Sequence, residues 1–531
     1  MRIGHSTSRL AIACALAVAA WTAPAAAKDQ PRRPNILVII ADDVGLDEAT
    51  GMYPGLIERM TRAYGPDGRN DPNYGRIAGH PASTPVLDHF AQQGMVFTQA
   101  WAHPFCSPTR AAMLTGLYAR NTGVATYADP LTQAHHSFVN DLHAAGYHTG
   151  VFGKWHMAGL PGQPRDYPGM KPREAGFEKF YGNMHAALPT YWDYPVQVQD
   201  AATPPGEWRT ETAKPHSLPG IGPTLLADVG WGAEALDWIR QQETADPDKP
   251  WFTWLAFNLA HATARQTPSA MMVPDRDTLD AATIAEMEAC GGEFGTQNTG
   301  TCSGEALMRA MTNAMDTIVG KVLAEVDRLD PNTYVIFLGD NGTPMYGRPN
   351  LDFIDNLYIT RTGRGKGSPF ESGAHVELAI RGPGIAAGSH SDAFVHVVDL
   401  FPTILQLAGL AVPQQVPNSD GSAQVPLDGI SLRQILTGAA TTVRDPFRGY
   451  VLNENTNLMA NSTKFVGARN RDYKVTCTDS ADNCAFYDLV HDPLEEFPLD
   501  KPASCDKGYA ETDPAWSYCY LTRVVAERSI F

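Results

Sequence analysis

Short unbroken apolar runs alternate along this chain with longer amphipathic ones. Asn35-Ile36-Leu37-Val38-Ile39-Ile40-Ala41 is continuous and β-branched, the pattern of a strand buried on both faces rather than one with a wet side. Comparable runs recur at 147–152, 250–257 and 333–338, with a shorter one at 95–100. Between them, 85–94, 138–145, 225–242 and 307–329 carry apolar residues at helical spacing. This alternation predicts an α/β fold, a large, mainly parallel sheet sandwiched by helices. Residues 392–409 predict a closing helix and 413–426 a polar linker. Residues 51–80, 200–223 and 262–304 are rich in Gly, Pro or polar residues and read as long loops. From about Arg444 the pattern becomes short and alternating, as in Tyr473-Lys474-Val475 and Phe486-Tyr487-Asp488-Leu489, which predicts a small antiparallel sheet. The expected organisation is an N-terminal segment over 1–27, a large domain over 28–412, a linker over 413–443 and a small α+β subdomain over 444–531.

The first 27 residues read as a signal peptide. Arg2 and Arg9 form its basic end, Leu10 to Ala20 its apolar stretch, and Ala25-Ala26-Ala27 a small-residue cleavage site. The apolar stretch is too short to span a bilayer, and no later run reaches the required length. An exported protein, periplasmic or secreted and without stable membrane insertion, is expected. Over the whole chain the formal charge is −17, and removing Arg2 and Arg9 leaves 39 bases against 58 acids, or −19. Such a surface argues against nucleic acid as a partner and requires a locally basic pocket for any anionic substrate. Of eight cysteines, Cys14 lies in the signal segment. Cys290 and Cys302, Cys477 and Cys484, and Cys505 and Cys519 are close enough to pair locally, which leaves Cys106 over. Parity alone does not choose the odd one out, and other connectivities stay open.

Polar residues cluster where the predicted strands end. Asp42 and Asp43 follow the first run, Lys154 and His156 the second, Asn258 and His261 the third, and Asp340 and Asn341 the fourth. Parallel strands bring such ends to one edge of a sheet. Asp42, Asp43, Asp340 and Asn341 offer only hard oxygen donors, which suit Ca²⁺, with Mg²⁺ as the alternative, and disfavour Zn²⁺. Tyr191, Trp192 and Tyr194 form an aromatic cluster preceded by His185. These residues suit stacking on a sugar or aryl group and equally suit packing beneath a loop.

Cys106-Ser107-Pro108-Thr109-Arg110 has the form of a helix start, with Ser107 as cap, Pro108 in the first turn and Gly116 as the stop. A helix N-terminus gathers anions, and Arg110 adds a fork of donors suited to a tetrahedral oxyanion. Cys-x-Pro-x-Arg followed by Thr115-Gly116 resembles the signature of the formylglycine-dependent (type I) sulfatases of the alkaline phosphatase superfamily. The likeness extends to residues 35–43, to Gly153 through His156, to Gly339 through Gly342, to Lys366-Gly367-Ser368 with Glu371-Ser372-Gly373, and to Tyr487-Asp488-Leu489 with Asp492-Pro493.

The resemblance implies an alkaline phosphatase-like fold whose large domain is catalytic. It also implies a sulfuric ester hydrolase acting on an aryl sulfate or sulfated carbohydrate. Cys106 would be oxidised to formylglycine by a separate maturase; its hydrate would attack sulfur beside the metal held by Asp42, Asp43, Asp340 and Asn341, with position 106 itself a ligand. Arg110 and Lys154 would hold the diol and the sulfate oxygens, Lys366 and His261 would face the bridging oxygen, and His156 would take the proton of the second hydroxyl. Lys154, His261, Lys366, His185 and Trp192 are the expected substrate contacts. Ala374-His375 departs from the family pattern, in which an aliphatic residue and arginine are common, and no proline closely follows His261. A phosphonate monoester or phosphodiester hydrolase of the same superfamily is the rival enzyme, and a binding protein with unmodified Cys106 the non-enzymatic one.

Overall fold

The run Asn35–Ala41 forms a strand with every residue buried, near the middle of a ten-stranded sheet. This arrangement comes from a computed structural model that describes residues 1, 4, 32–77, 80–160, 167–204, 206–263, 268–344, 364–458 and 461–531. The expected signal peptide falls almost wholly outside the described residues. Residues Arg33–Phe531 form one compact unit.

Across the sheet the strands run in the order Ser389–Ser391, Met95–Phe97, Leu378–Arg381, Thr333–Gly339, Asn35–Ala41, Trp251–Ala256, His148–Lys154, Lys179–Asn183, Pro195–Gln199, Arg209–Thr212. The five from Thr333–Gly339 to Lys179–Asn183 are mutually parallel. Antiparallel neighbours, Leu378–Arg381 and Pro195–Gln199, flank that parallel block, so the sheet is mixed. Ile36, Val38 and Ile40 join the apolar cluster that includes Ala111, Phe138 and Leu400, from the helices Cys106–Thr115, Phe138–Ala144 and Leu400–Leu407. Leu37, Ile39 and Ala41 join the opposite cluster with Leu236 and Leu307, from Ala227–Ala245 and Gly304–Leu329. Helices on both faces explain why the sequence run is unbroken. Burying each large aliphatic side chain contributes roughly 2 kcal/mol, which anchors the strand end against the charges placed just beyond it.

Several segments differ from the sequence pattern. Residues 51–80 contain the helix Leu56–Tyr64, of which only Leu56 and Tyr64 are buried, so its spacing is masked by a polar surface. Residues 413–426 pair as Gln415–Pro417 against Gln424–Pro426. Strands occupy part of 200–223, and the helix Ala281–Ala289, capped by Asp280, lies within 262–304. The run 95–100 splits into Met95–Phe97 and Ala100–Trp101, which join different sheets. The helix of 392–409 is confined to Leu400–Leu407.

The C-terminal strands Val451–Asn457, Thr463–Arg469, Tyr473–Thr478 and Cys484–Asp488 pair antiparallel in sequence order. Cys290–Cys302, Cys477–Cys484 and Cys505–Cys519 are disulfide-bonded, and Cys106 is free and buried. No helix among the described residues is long and apolar enough to cross a membrane.

One buried acid gives a pH signature. Glu377 is fully buried, and neither of its side-chain oxygens has a hydrogen-bond partner among the described residues. Burial, reinforced by the charge of Asp47, pushes its carboxyl up to about 8. The folded state therefore keeps a proton that the unfolded chain releases near the ordinary glutamate value. Stability contributed by that proton is complete below this value and is lost as pH rises toward 8. Its slope is about 1.4 kcal/mol per pH unit. Urea titrations between pH 5 and 8 are expected to show Glu377→Gln flattening the decline; an unchanged slope refutes a neutral Glu377.

Candidate active site

Strand register builds the site. Ala41 lies opposite Gly339, Ile40 opposite Ala256, and Ala256 opposite Gly153. The residues following these strands, Asp42 and Asp43, Asp340 and Asn341, and Asn258 to His261, thus emerge at one edge beside Lys154, the last residue of its strand. Asp43 and His156 both have left-handed backbones, with φ of 64° and 52°. Such conformations cost about 1 kcal/mol or more for a side-chain-bearing residue and persist where surrounding structure enforces them.

The helix starts at Cys106, two residues earlier than the sequence predicts, with Phe105 rather than Ser107 at its cap position. Ser107 does not cap it; its hydroxyl donates to the His156 carbonyl at 2.5 Å, tying the helix to the Lys154–His156 turn. Gly116 ends the helix with φ 71°. Cys106 is 1% exposed. Its Sγ lies 3.3 Å from Asp42 Oδ1, 3.4 Å from Lys154 Nζ and 3.3 Å from Lys366 Nζ.

Lys154 Nζ donates to Asp42 Oδ2 at 2.5 Å, and Lys366 Nζ donates to Asp43 Oδ1. Burial alone would raise the Asp43 carboxyl, but Lys366 and Lys154 with the Asn341 amide hold it well below the usual carboxylate range. Burial would lower the Lys366 amine; Asp43, Cys106, Asp42 and Asp340 outweigh it and keep the ammonium. Arg110 is fully buried and faces Asp340: Nε and Nη2 donate to Asp340 Oδ2 at 3.0 and 2.8 Å, and Nη1 to the Lys154 carbonyl at 2.8 Å. It does not line the cavity. In this arrangement Arg110 braces Asp340.

The histidines are neutral. Burial, then Lys154 and Arg110, holds His156 far below its ordinary value. Its Nε2 lies 2.9 Å from the Tyr127 carbonyl, which only accepts, so Nε2 carries the proton and Nδ1 a lone pair. Nδ1 is buried without a hydrogen-bond partner. His261 is lowered to about 3, by burial first and then by Lys366 and Lys154, against the pull of Asp43. Its Nδ1 donates to the Ala262 carbonyl, and Nε2 stands 3.7 Å from Asp43 Oδ2.

Asp42, Asp43, Asp340 and Cys106 place one ligand atom each within 4.8 Å of one another, all buried. Asn341 donates its amide to Asp43 Oδ1 at 2.9 Å, and its Oδ1 is buried without a partner. This oxygen-rich donor set, with an orphan amide oxygen beside it, fits a hard divalent cation.

The groups open into a cavity of about 280 Å³ lined by Phe105, Cys106, Tyr127, His156, Leu160, His185, Ala186, Ala187, His261, Thr263 and Lys366. His185 lies in this wall, as expected. Phe105, Tyr127 and Thr263 were not legible: none belongs to a run of chemical residues, and only Phe105, adjoining Cys106, carried a positional hint.

Trp192 is not in the wall. It is partly buried against the core, and its Nε1 donates to Asp275 Oδ1 at 3.3 Å. Tyr194 packs edge-on against Trp231. Tyr191 is buried, with its hydroxyl 2.6 Å from the carbonyls of both Asn258 and His261, so it braces the turn that carries His261. The aromatic cluster packs against the core, and Trp192 stands outside the cavity wall. Trp192→Ala is expected to cost about 3 kcal/mol in thermal unfolding and to reduce turnover of small aryl sulfates and sulfated oligosaccharides equally. Loss confined to the oligosaccharides would restore the subsite role.

The family model described as Sulfatase matches residues 34–410. The chain is 27% identical over 446 residues to N-acetylgalactosamine-6-sulfatase of Canis lupus familiaris, covering 78% of this chain and 68% of that protein. It is 25% identical over 453 residues to a sulfatase of Formosa agariphila, covering 75% and 72%. A protein solved in complex with its substrate D-glucosamine-2-N,6-O-disulfate shares the fold, with a TM-score of 0.55 over 87% of this chain and 92% of that one at 20% identity. With the buried acids, the two lysines and Cys106 gathered at one sheet edge, the chain belongs to the sulfatase family, as a type I sulfatase of the alkaline phosphatase superfamily and a sulfuric ester hydrolase.

Proposed function

We propose that this protein removes sulfate from a carbohydrate ring, using formylglycine hydrate made from Cys106 by a maturase, with Ca²⁺ held by Asp42, Asp43, Asp340 and Asn341. The observation that carries this reading is the environment of Cys106. Burial, then Asp340, pushes its thiol up against the opposing pull of Lys154 and Lys366, so an unmodified cysteine would be a poor thiolate nucleophile. Two ammonium groups nonetheless converge on this position, as an incoming oxyanion requires.

The cation, when bound, supplies polarisation of the sulfate and neutralises charge on the attacking oxygen. A hydrated aldehyde at position 106 would supply one hydroxyl to attack sulfur and a second through which sulfate would be released. Lys154 and Lys366 flank position 106 and bind the sulfate oxygens. Lys366, which holds its proton, donates it toward the bridging oxygen as the alcohol leaves. His156 accepts the hydroxyl proton at Nδ1, its tautomer set by the Tyr127 carbonyl. Arg110 keeps Asp340 in place. Neutral His261 orients the leaving group rather than carrying its proton at rest.

A cavity of about 280 Å³ has room for a single ring, and relatives include an N-acetylgalactosamine-6-sulfatase, which supports a sulfated sugar over a long polymer. Three disulfides support export to an oxidising compartment, periplasmic or extracellular. The test combines mass analysis of the Cys106 peptide with a panel of sulfated monosaccharides, aryl sulfates and phosphodiesters. Aldehyde at position 106 with fastest turnover of a sulfated sugar is expected. Faster cleavage of a phosphodiester, or full activity with an intact thiol, overturns the reading.

A further inference from the structure

Lys366 is carried by a strap, residues 364–374, that the small C-terminal sheet holds, although that sheet lies beyond the residues 34–410 matched by the family. Asn453, Asn455 and Asn457 alternate along the strand Val451–Asn457 and so share one face. Each donates its side-chain amide to the strap: Asn453 to the Pro369 carbonyl at 2.7 Å, and Asn455 and Asn457 to the Gly367 carbonyl at 3.0 and 3.4 Å. Asn455 is fully buried. Beyond it, the Glu371 backbone N–H donates to Glu495 Oε2 at 2.7 Å, and Lys474 Nζ bridges Glu371 and Glu495 at 3.1 and 3.0 Å.

Gly367 is where this clamping matters. Its φ is +87°, and a Cβ there would stand 2.9 Å from the Phe105 ring. A glycine beside the catalytic lysine is free to adopt many conformations, so its two peptide planes must be fixed from outside. The Gly367 N–H donates to the Pro104 carbonyl at 2.9 Å, which fixes the plane shared with Lys366. Asn455 makes the shorter of two amide bonds to the Gly367 carbonyl, which hold the other plane together with the Ser368 N–H donating to the Gly365 carbonyl at 3.1 Å. Without Asn455 that plane keeps only the longer Asn457 bond and the Ser368 N–H bond, and a shift of about 1 Å in a catalytic group is enough to cost about 100-fold in rate.

We infer that Asn455 is a positioning residue for Lys366, so that the C-terminal sheet is a working part of the active site. The inference rests on Lys366 serving the bridging oxygen, and the test separates the two. Asn455→Ala, Lys366→Ala and the double variant are assayed on aryl sulfates of graded phenol acidity. Asn455→Asp, similar in size but unable to donate, serves as a second variant in case the first misfolds. Asn470→Ala is the control: its amide donates to the Phe447 carbonyl and Ser517 Oγ, so it loosens the same subdomain without touching the strap.

Asn455→Ala is expected to slow esters of weakly acidic phenols about tenfold or more while sparing those of strongly acidic ones. Lys366→Ala is expected to steepen the same dependence further. In the Lys366→Ala background Asn455→Ala adds no loss, because it acts through the lysine. Asn470→Ala lowers Tm without changing the dependence. Additive losses in the double variant, or an Asn470→Ala profile matching that of Asn455→Ala, overturn the inference. Non-additive losses with no leaving-group dependence in Lys366→Ala would instead overturn the leaving-group role of Lys366 and leave the positioning intact.

Discussion

Cys106→Ala is expected to abolish sulfate release, by about six orders of magnitude if position 106 supplies the nucleophile, while leaving the fold in place. The side chain is small, and Cys106 takes part in none of the three disulfides. Deleting one sulfur from a packed site costs about 1 kcal/mol. Part of that cost is offset because Lys154 and Lys366 keep Asp42 and Asp43 as partners. Released sulfate and thermal unfolding, measured on the same preparation, separate the two effects. A variant that unfolds like the parent and still turns over at a hundredth of its rate would place the nucleophile elsewhere.

Removal of divalent cation is expected to have the second-largest effect. Asp42, Asp43 and Asp340 converge with no exposure to solvent, and Lys154, Lys366 and Arg110 offset their repulsion only in part. Exhaustive chelation, verified by elemental analysis, should eliminate turnover and lower Tm. Readdition of Ca²⁺ should restore both. A cation present at several hundred times its Kd contributes about 3–4 kcal/mol to the folded state, so the shift in unfolding is measurable apart from activity. Restoration by Mg²⁺ but not Ca²⁺ would reassign the ion, and full turnover of verified metal-free protein would remove it from the chemistry.

The central strands are legible because residues with both faces buried must be apolar at every position; Asn35–Ala41 has the bounds that its run predicts. Legibility fails where burial is one-sided or where order comes from distant partners. The helix Leu56–Tyr64 buries only its two ends, so the loop-like composition around it dominates the pattern. The helix at Cys106 starts early because Ser107 is engaged by the His156 carbonyl, a long-range bond that local capping preference does not contain.

In the site, the acids, Lys154 and the histidines at strand ends follow from the parallel register. The cavity-lining Tyr127 contributes a backbone carbonyl to His156, which no side-chain motif records. Trp192 reads in sequence as an aromatic beside a predicted site, whereas Asp275 and the core hold it outside the cavity wall. Asn453, Asn455 and Asn457 are visible only as a polar alternation until the strap they hold is seen across from them.

The depth of Cys106 sets a schedule for the molecule. Its thiol is 1% exposed, at the first turn of a helix whose every residue is buried. On the proposed modification of Cys106, an oxidising enzyme would have to reach the sulfur before this helix packs, because the finished fold leaves it no access. Under that proposal processing and folding would compete for the same chain, and the yield of active protein would depend on which comes first. Slowing collapse of the central sheet during synthesis should raise the modified fraction, whereas protein refolded without the processing enzyme should remain structurally intact and permanently idle.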